Sequence, residues 1–284
     1  MRFTKMQGTG NDFIVMETDD VSRDWAKFAV AICDRHFGVG ADGILLLLPS
    51  KKADFRMLIF NSDGSQAEMC GNGLRCLVRY FTAASRKPPG EEIRVETKAG
   101  LRKARLVQNK DKSTWVRLSM GKPEFRAAEI PAALEGCDAR LVNKTMTVCT
   151  LEVERRILPL ALVSMGNPHA VFFSDRPVNN FPLERIGPKI ERHVVFPEGA
   201  NFEIARVKSR QEIDARVWER GAGITLACGT GACAIAVAAH ILGLVDDKVA
   251  VNLPGGTLQI EWGGTGEVFL TGPAEFVYSG EWPD

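Results

Sequence analysis

The chain has 284 residues, of which 45% are hydrophobic and 25% charged, and its formal net charge is +1. This composition is typical of a globular protein that can bury a sizeable core, and the absence of long basic runs argues against nucleic acid or anionic lipid as a partner. The start "MRFTKMQGTGNDF" lacks the apolar segment of a signal peptide, and the longest apolar stretches are too short to span a bilayer. We therefore expect a cytoplasmic protein with reduced cysteines and no membrane partner.

The predicted elements follow a strand-rich rhythm along the whole chain. Short runs bounded by Gly, Pro, Asn or Asp predict strands at 3–18, 43–50, 54–64, 91–100, 101–109 and 113–121, and again at 158–166, 200–209, 212–221 and 248–264. Apolar stretches of helical length predict helices at 24–36, 72–87 and 231–244. The pattern indicates an α+β fold, in which a curled, mostly antiparallel sheet packs on a long helix in each half.

Two pairs of segments resemble each other at nearly the same separation along the chain. The first pair, "KMQGTGNDFIVM" and "VSMGNPHAVFF", aligns Asn11 with Asn167. The second pair, "NSDGSQAEMCGNG" and "ERGAGITLACGTG", aligns Cys70 with Cys228 and Asn61 with Glu219. Similarity at a constant separation indicates a duplicated unit. We predict two pseudo-symmetric halves, 1–126 and 127–272, with a C-terminal tail at 273–284 that belongs with the first half.

Each aligned cysteine lies in a Cys-Gly-polar-Gly turn directly before a predicted helix. The first turn of a helix presents unpaired backbone N–H groups and the positive end of the helix dipole, so it binds carboxylate or phosphate readily. A thiol at this position should have a pKa below that of free cysteine. The competing interpretation is that Cys70 and Cys228 are small core residues. Their occurrence in two matching glycine settings favours a chemical role.

Other uses of these turns fit the sequence less well. The seven cysteines contain no C-x-x-C pair and the four histidines show no ligand spacing, so we expect no metal. A structural disulfide is disfavoured in the cytoplasm, although a transient one between Cys70 and Cys228 stays open. "GVGADG" lies between a helix and a strand, the wrong polarity for a dinucleotide site, and "GTGACA" lacks the acidic residue downstream. The other cysteines should pack in the core or lie at the surface: Cys33, Cys76, Cys137, Cys149 and Cys233.

The remaining interpretation is a site between the two halves, with one thiol on each side of a ligand. One sulfur could remove a proton from an α-carbon while the other delivers a proton to the opposite face, which is the requirement of stereoinversion. Backbone N–H groups of two helix starts would stabilise the charge that develops on the substrate carboxylate, so no cofactor is needed.

The quoted motifs, together with "NSDGSQAEMCGNGLRC" and "ERGAGITLACGTGACA", resemble the diaminopimelate epimerase family over essentially the whole chain. The resemblance implies two pseudo-symmetric halves with the active site in the cleft between them. It also implies pyridoxal-phosphate-independent conversion of LL-2,6-diaminopimelate to the meso isomer, in the synthesis of lysine and of cell-wall precursors.

The resemblance assigns roles residue by residue. Cys70 and Cys228 match the acid/base thiols, and His169 and Glu219 match a pair that assists them. The substrate-binding positions are Asn11, Asn61, Gly71, Asn72, Asn167, Asn201, Glu219, Arg220, Gly229 and Thr230. Capping and turn formation is an equally ordinary use of Asn61 and Asn201. Arg220 is a natural bidentate partner for a distal carboxylate.

The departures from the family pattern are small. Gly43 stands where some members have a substrate-contacting Gln, and Ile224 replaces a polar residue. Two alternatives stay open: a proline-racemase-like enzyme with another substrate, and a non-catalytic binding protein for which the thiols are dispensable. We expect a homodimer formed through an edge strand and closure of the cleft over substrate. The roles of the two thiols should exchange when the reaction runs in the opposite direction.

Overall fold

The computed structural model describes residues 1–84, 86–88, 90–109 and 113–283. The chain divides into two compact units, Met1–Ser119 with Thr271–Asp284, and Met120–Leu270. We call them unit 1 and unit 2. Their boundaries fall a few residues before those predicted for the duplicated halves, 1–126 and 127–272, and Asp284 of the predicted tail lies outside the described residues.

Unit 1 begins with a hairpin where one strand run was predicted. The run 3–18 is interrupted by a turn at Thr9 and Gly10, whose φ angles are 53° and 84°. The hairpin consists of β1 (Arg2–Gly8) and β2 (Asn11–Glu17), which pair antiparallel. This turn sets Asn11 at the first position of a strand rather than inside one.

The rest of unit 1 builds one sheet around a helix. Its elements are α1 (Trp25–Cys33), β3 (Gly43–Leu48), β4 (Phe55–Asn61), β5 (Gln66–Ala67), α2 (Gly71–Ala83), β6 (Ile93–Thr97), β7 (Gly100–Gln108), β8 (Thr114–Gly121) and β19 (Glu275–Glu281). Strand β3 runs parallel to β2, β4 antiparallel to β3, and β6 parallel to β4. Helix α2 contacts β1, β2, β3, β4 and β7, so this one helix packs against most strands of the sheet. It ends before Ser85, a residue of the predicted helix that lies outside the described residues.

Unit 2 repeats this order. Its elements are β9 (Asp138–Val142), β10 (Met146–Val153), β11 (Arg156–Ser164), β12 (Pro168–Phe173), α3 (Leu183–Glu191), β13 (Asn201–Ser209), β14 (Glu212–Glu219), β15 (Gly223–Thr225), α4 (Gly229–Ile241), β16 (Lys248–Leu253), β17 (Gly256–Glu261) and β18 (Val268–Pro273). Strand β13 runs parallel to β12, β14 antiparallel to β13, and β16 parallel to β14. The run 248–264 resolves into the antiparallel pair β16 and β17.

The two units therefore resemble each other in the order and pairing of their elements as well as in their sequence motifs. The order hairpin, helix, parallel strand, antiparallel strand, short strand, long helix, parallel strand occurs in each of them. The duplicated α+β fold predicted from the sequence is confirmed. Helix α3, the counterpart of α1, was not predicted, because Gly187 and Pro188 interrupt its apolar pattern.

The cysteine assignments need one correction. Cys137 and Cys149 form a disulfide, with their Cα atoms 5.8 Å apart, whereas both were expected to be unpaired. The antiparallel pairing of β9 with β10 brings the segment that starts at Cys137 alongside Cys149, and this proximity is invisible in the spacing of the residues. Cys33, Cys76 and Cys233 are buried and lie outside this disulfide, as predicted.

Each unit has its own apolar core. In unit 1, α1 packs through Phe28 and Ile32 against β3 residues such as Ile44. In unit 2, α3 packs through Ile186 and Ile190 with strand residues such as Phe202. No helix in the described part of the chain is long and apolar enough to cross a membrane.

Candidate active site

In unit 1, Cys70 is the residue that caps the start of α2. Its backbone is extended, and its Sγ accepts a hydrogen bond from the backbone N–H of Gly73 at 3.5 Å. Gly71 and Asn72, both buried, form the first turn of the helix. The side chain of Cys70 is partly exposed, so the thiol lies at the open end of a helix with its dipole directed toward it.

Asn11 connects this thiol to a charged cluster. Its Oδ1 accepts from the Cys70 thiol at 3.7 Å and from Asn72 Nδ2 at 3.3 Å. Its Nδ2 donates to Asp42 at 2.6 Å, and Asp42 in turn accepts from Arg35. Because a carboxylate can only accept, Asp42 determines which way the Asn11 amide faces.

Unit 1 also buries two basic side chains. Arg75, in the second turn of α2, is fully buried and donates to the Pro273 carbonyl and to Thr9 Oγ1. Lys5 is also buried and pairs with Asp12 at 2.6 Å. Gly8 makes room for this packing, since a Cβ there would lie 3.1 Å from the Arg75 guanidinium.

In unit 2, Cys228 caps α4 in the same way. Its backbone is extended, and its Sγ accepts from the backbone N–H of Gly231 at 3.4 Å. Gly229 and Thr230 form the first turn, and Thr230 Oγ1 lies 3.5 Å from the Cys228 sulfur. Cys228 is almost completely buried, with 5% of its surface exposed.

The surroundings of Cys228 differ from those of Cys70 in charge. Burial and the neighbouring Glu219 carboxylate raise the pKa of Cys228 well above that of a free thiol, and Glu203 adds to this effect. The prediction that this thiol has a lowered pKa was wrong, because burial and negative charge outweigh the hydrogen bond from the helix start. Burial also raises the pKa of Glu219, although its hydrogen bonds with Thr225 and Cys228 oppose this.

His169 and Asn167 connect to the start of α4 through hydrogen bonds. His169 is fully buried, and its Nδ1 lies 2.6 Å from Glu203 Oε1. Its Nε2 lies 2.9 Å from Asn167 Oδ1, and Asn167 Nδ2 donates to Thr230 at 3.3 Å. His169 and Glu219 were predicted to assist the thiols, and this stays a prediction. The carboxyl group that His169 contacts directly is that of Glu203.

The remaining predicted substrate residues have local partners. Asn201 is buried, donates to the Pro168 carbonyl and accepts from the Arg220 backbone N–H, while the exposed Arg220 side chain donates to the Glu198 carbonyl. Asn61 ends β4 and donates to Ser65. Asn61 thus stabilises a local turn, and Asn201 bridges two backbone segments. The contact of both residues with substrate stays a prediction.

Sequence reasoning missed Asp42 and Glu203, and it left Gly43 unexplained. Glu203 lies two positions after Asn201 with the apolar residues Phe202 and Ile204 on either side, and a carboxyl group in such a run was the available signal. Gly43 lies where β3 and β4 approach closely, since a Cβ there would lie 2.5 Å from the Phe60 carbonyl oxygen. A larger residue at position 43 would therefore need the strands to shift.

Solved structures share this fold. A Bacillus anthracis phenazine biosynthesis protein of the PhzF family aligns with 100% of this chain and 99% of its own at 15% identity, with a TM-score of 0.73. A probable proline racemase from Agrobacterium radiobacter aligns over 99% of this chain and 92% of its own at 15% identity, with a TM-score of 0.70. The chain therefore has the duplicated fold found in racemase and epimerase structures.

Sequence similarity identifies one family among the proteins with this fold. The family model for diaminopimelate epimerase matches residues 3–126 and 161–277. Curated diaminopimelate epimerases are 46% identical in Carboxydothermus hydrogenoformans, over 99% of both chains, and 46% identical in Microcystis aeruginosa, over 99% of this chain and 98% of the relative. The chain belongs to the diaminopimelate epimerase family and is an isomerase.

Proposed function

We propose that Cys70 and Cys228 are the acid and base with which this chain inverts one α-carbon of diaminopimelate. As a member of its family, the chain converts LL-2,6-diaminopimelate to the meso isomer, a step of lysine and peptidoglycan precursor synthesis. The observation that carries the proposal is the repeated geometry: each thiol caps a helix and accepts from the backbone N–H three residues later. Two equivalent proton carriers are what inversion at carbon requires.

In the proposed step, a thiolate removes the α-proton, so that a C–H bond breaks and an S–H bond forms. The other thiol then protonates the opposite face, so its S–H bond breaks and a new C–H bond forms. The products are the inverted substrate and the two sulfurs with exchanged protonation states. Reaction in the reverse direction exchanges their roles, and the proposal requires both sulfurs to reach the same carbon.

The helix starts stabilise the intermediate in this proposal. Backbone N–H groups of Gly71, Asn72, Gly229 and Thr230 are the donors that can hold the carboxylate next to the reacting carbon. The negative charge that develops when the α-proton leaves spreads onto this carboxylate. Preorganised N–H groups at positive helix ends stabilise it without moving. No cofactor takes part in the proposed step.

The raised pKa of Cys228 favours its protonated form in the free protein. Cys228 is therefore proposed as the proton donor for the first turnover and Cys70 as the base. Arg220 is proposed to bind the distal carboxylate, because its guanidinium is exposed and can form a bidentate pair. A cytoplasmic location and a homodimer stay predictions from the sequence.

The test is proton NMR of LL-diaminopimelate in D2O with the reduced protein. We expect deuterium to enter one α-position as the meso isomer appears, and we expect Cys70→Ala and Cys228→Ala to lower the rate of epimerisation about 10³-fold or more. Cys76→Ala and Cys233→Ala are matched controls, since both are buried cysteines in the same two helices and should keep the wild-type rate.

Three results would contradict the proposal. Epimerisation at an undiminished rate in either active-site variant would exclude the paired thiols. Exchange on proline with none on diaminopimelate would keep the chemistry and overturn the substrate, and no exchange on any amino acid would favour a binding protein.

A further inference from the structure

Glu203 is a buried carboxyl group that the proposed reaction does not use directly. It lies in β13, and none of its surface is exposed. Its Oε1 contacts His169 Nδ1 at 2.6 Å, while Oε2 is buried and has no hydrogen-bond partner among the described residues. A buried carboxyl group with one unsatisfied oxygen is costly, so its retention needs a reason.

The contacts of Glu203 continue as a line of side chains to the thiol of Cys228. His169 Nε2 lies 2.9 Å from Asn167 Oδ1, Asn167 Nδ2 donates to Thr230 Oγ1 at 3.3 Å, and Thr230 Oγ1 lies 3.5 Å from Cys228 Sγ. An amide oxygen can only accept, so His169 must carry a proton on Nε2. The short contact between Nδ1 and Oε1 then holds a second proton, on either atom.

We propose that Glu203 is a positioning residue: by sharing a proton with Nδ1 of His169 it keeps Nε2 protonated, and this fixes the Asn167 amide so that Thr230 and Cys228 are correctly oriented. The inference rests on the proposed function, since it assigns a role in preparing Cys228. Without a proton-bearing partner at Nδ1, His169 can carry its proton on Nδ1 instead. The Asn167 amide would then turn over and present its oxygen to Thr230.

Gly231 supports the assignment from the opposite side. A Cβ at position 231 would lie 2.9 Å from Glu203 Oε1 and 3.4 Å from Cys228 Sγ. The third residue of α4 therefore lacks a side chain where the carboxyl group and the thiol approach the helix. Gly73, its counterpart in α2, faces Leu45 instead, at 2.8 Å from a Cβ. The space beside the third residue of the helix is therefore lined by polar groups in unit 2 and by an apolar side chain in unit 1.

The charged and titratable groups that act on Glu203 come from three elements. His169 on β12 lowers the pKa of Glu203, whereas burial raises it more strongly. Glu219 at the end of β14 and Cys228 at the start of α4 each have a pKa that the Glu203 carboxylate raises. A change at Glu203 should therefore alter the pH dependence of Cys228 as well as its orientation.

The experiment compares Glu203→Met with Glu203→Gln. Methionine fills the space without a proton, whereas the glutamine amide can donate to Nδ1 and keep Nε2 protonated. We expect E203M to lower kcat about 30-fold with little change in KM, and E203Q to recover most of this loss, in the range seen for residues that orient an active group. Thr147→Val removes another buried polar group of unit 2 and should keep the wild-type kcat.

Two further measurements need no substrate. The ¹⁵N NMR signals of the His169 ring should show Nε2 protonated in wild type and E203Q, and a mixture of tautomers in E203M. The rate at which iodoacetamide alkylates Cys228 should show a shifted pH profile in E203M. If the wild type does not epimerise diaminopimelate, the proposed function fails, and these two measurements still test the role of Glu203.

The inference is overturned if wild-type His169 has an unprotonated Nε2, or if E203M keeps the wild-type kcat and tautomer. Equal loss of kcat in E203M and E203Q with unchanged ring signals would also overturn it. If E203M does not fold, Gly231→Ala serves instead, since its Cβ would displace Glu203 Oε1. That variant should lower kcat and mix the tautomers, and wild-type behaviour would contradict the inference.

Discussion

The starts of α2 and α4 have the same backbone geometry but different charged groups around them. Cys70 and Cys228 cap their helices with one geometry, and each accepts from the N–H of a glycine three residues later. Around α2 the buried charged groups include Lys5 and Arg75, whereas around α4 they include Glu203. The two units therefore share the geometry of the helix start and differ in the charged groups that are buried around it.

The aligned positions Asn61 and Glu219 show this change most simply. Each ends a strand that pairs with a short strand, and each contacts a hydroxyl group, of Ser65 and Thr225 respectively. Glu219 brings a negative charge that raises the pKa of Cys228, and Asn61 brings none. Two copies of one fold therefore carry different charges at equivalent positions.

The largest expected effect follows from removing this difference. Glu219→Gln removes the carboxylate that accepts from Cys228, so the pKa of Cys228 should fall and iodoacetamide should alkylate it faster between pH 7 and 9. We expect kcat for epimerisation to fall about 10³-fold, because acid–base catalysis by Cys228 depends on its pKa and such catalysis contributes about 10²- to 10⁴-fold. Mass spectrometry of the Cys228 peptide measures the alkylation rate.

Asn61→Asp is the matched variant in unit 1. It adds a carboxylate at the position equivalent to Glu219, so alkylation of Cys70 should become slower while that of Cys228 is unchanged. Unaltered alkylation of Cys228 in E219Q, or faster alkylation of Cys70 in N61D, would contradict the electrostatic comparison.

A smaller effect is expected from the ion pair of Lys5 and Asp12 in unit 1. Asp12→Asn leaves the buried Lys5 ammonium without its carboxylate and should lower the free energy of unfolding by about 3 kcal/mol. Hydrogen exchange followed by mass spectrometry should show the loss in peptides of unit 1. Arg2→Gln breaks an exposed pair with Glu281 and serves as the control, with little expected change.

The same pair defines a pH dependence. Burial alone would raise the pKa of Asp12, but Arg35 and Lys5 outweigh it and lower the pKa from 3.8 to about 2. A lowered folded-state pKa stabilises the protein above the unfolded-state value, and this stabilisation is lost as the pH falls from about 4 to 2. The difference in stability between wild type and D12N should shrink over that interval, and a constant difference would contradict the assignment.

The smallest effect should come from the disulfide of unit 2. Cys137→Ser opens a short loop and should cost about 2 kcal/mol in the free energy of unfolding. Urea unfolding in the presence of dithiothreitol should lower the stability of wild type toward that of C137S and leave C137S unchanged. A wild type insensitive to the reductant would show that the disulfide does not contribute.

Much of the fold was predictable because short sequence patterns indicate where its helices and strands begin and end. The helices that begin at Gly71 and Gly229 were expected from a polar-glycine start before an apolar run, and the structure confirms both. Helix α3 was missed because Gly187 and Pro188 break that pattern, and only its packing against β13 and β14 makes it helical. Local propensity is overridden where burial of an apolar face supplies the free energy.

The sequence by itself determined the duplication, the pair of cysteines and the family. Repeated motifs and helix-start signals are short stretches of sequence, so they can be recognised without the structure. Tertiary structure alone decided that Cys228 is buried beside carboxylates, that Glu203 faces His169, and that Cys137 meets Cys149. These contacts depend on how the chain folds, and the shifts in pKa depend on burial and distance. Neither quantity is encoded in the spacing of residues, so the sequence could predict the two cysteines as a pair but not the raised pKa of Cys228.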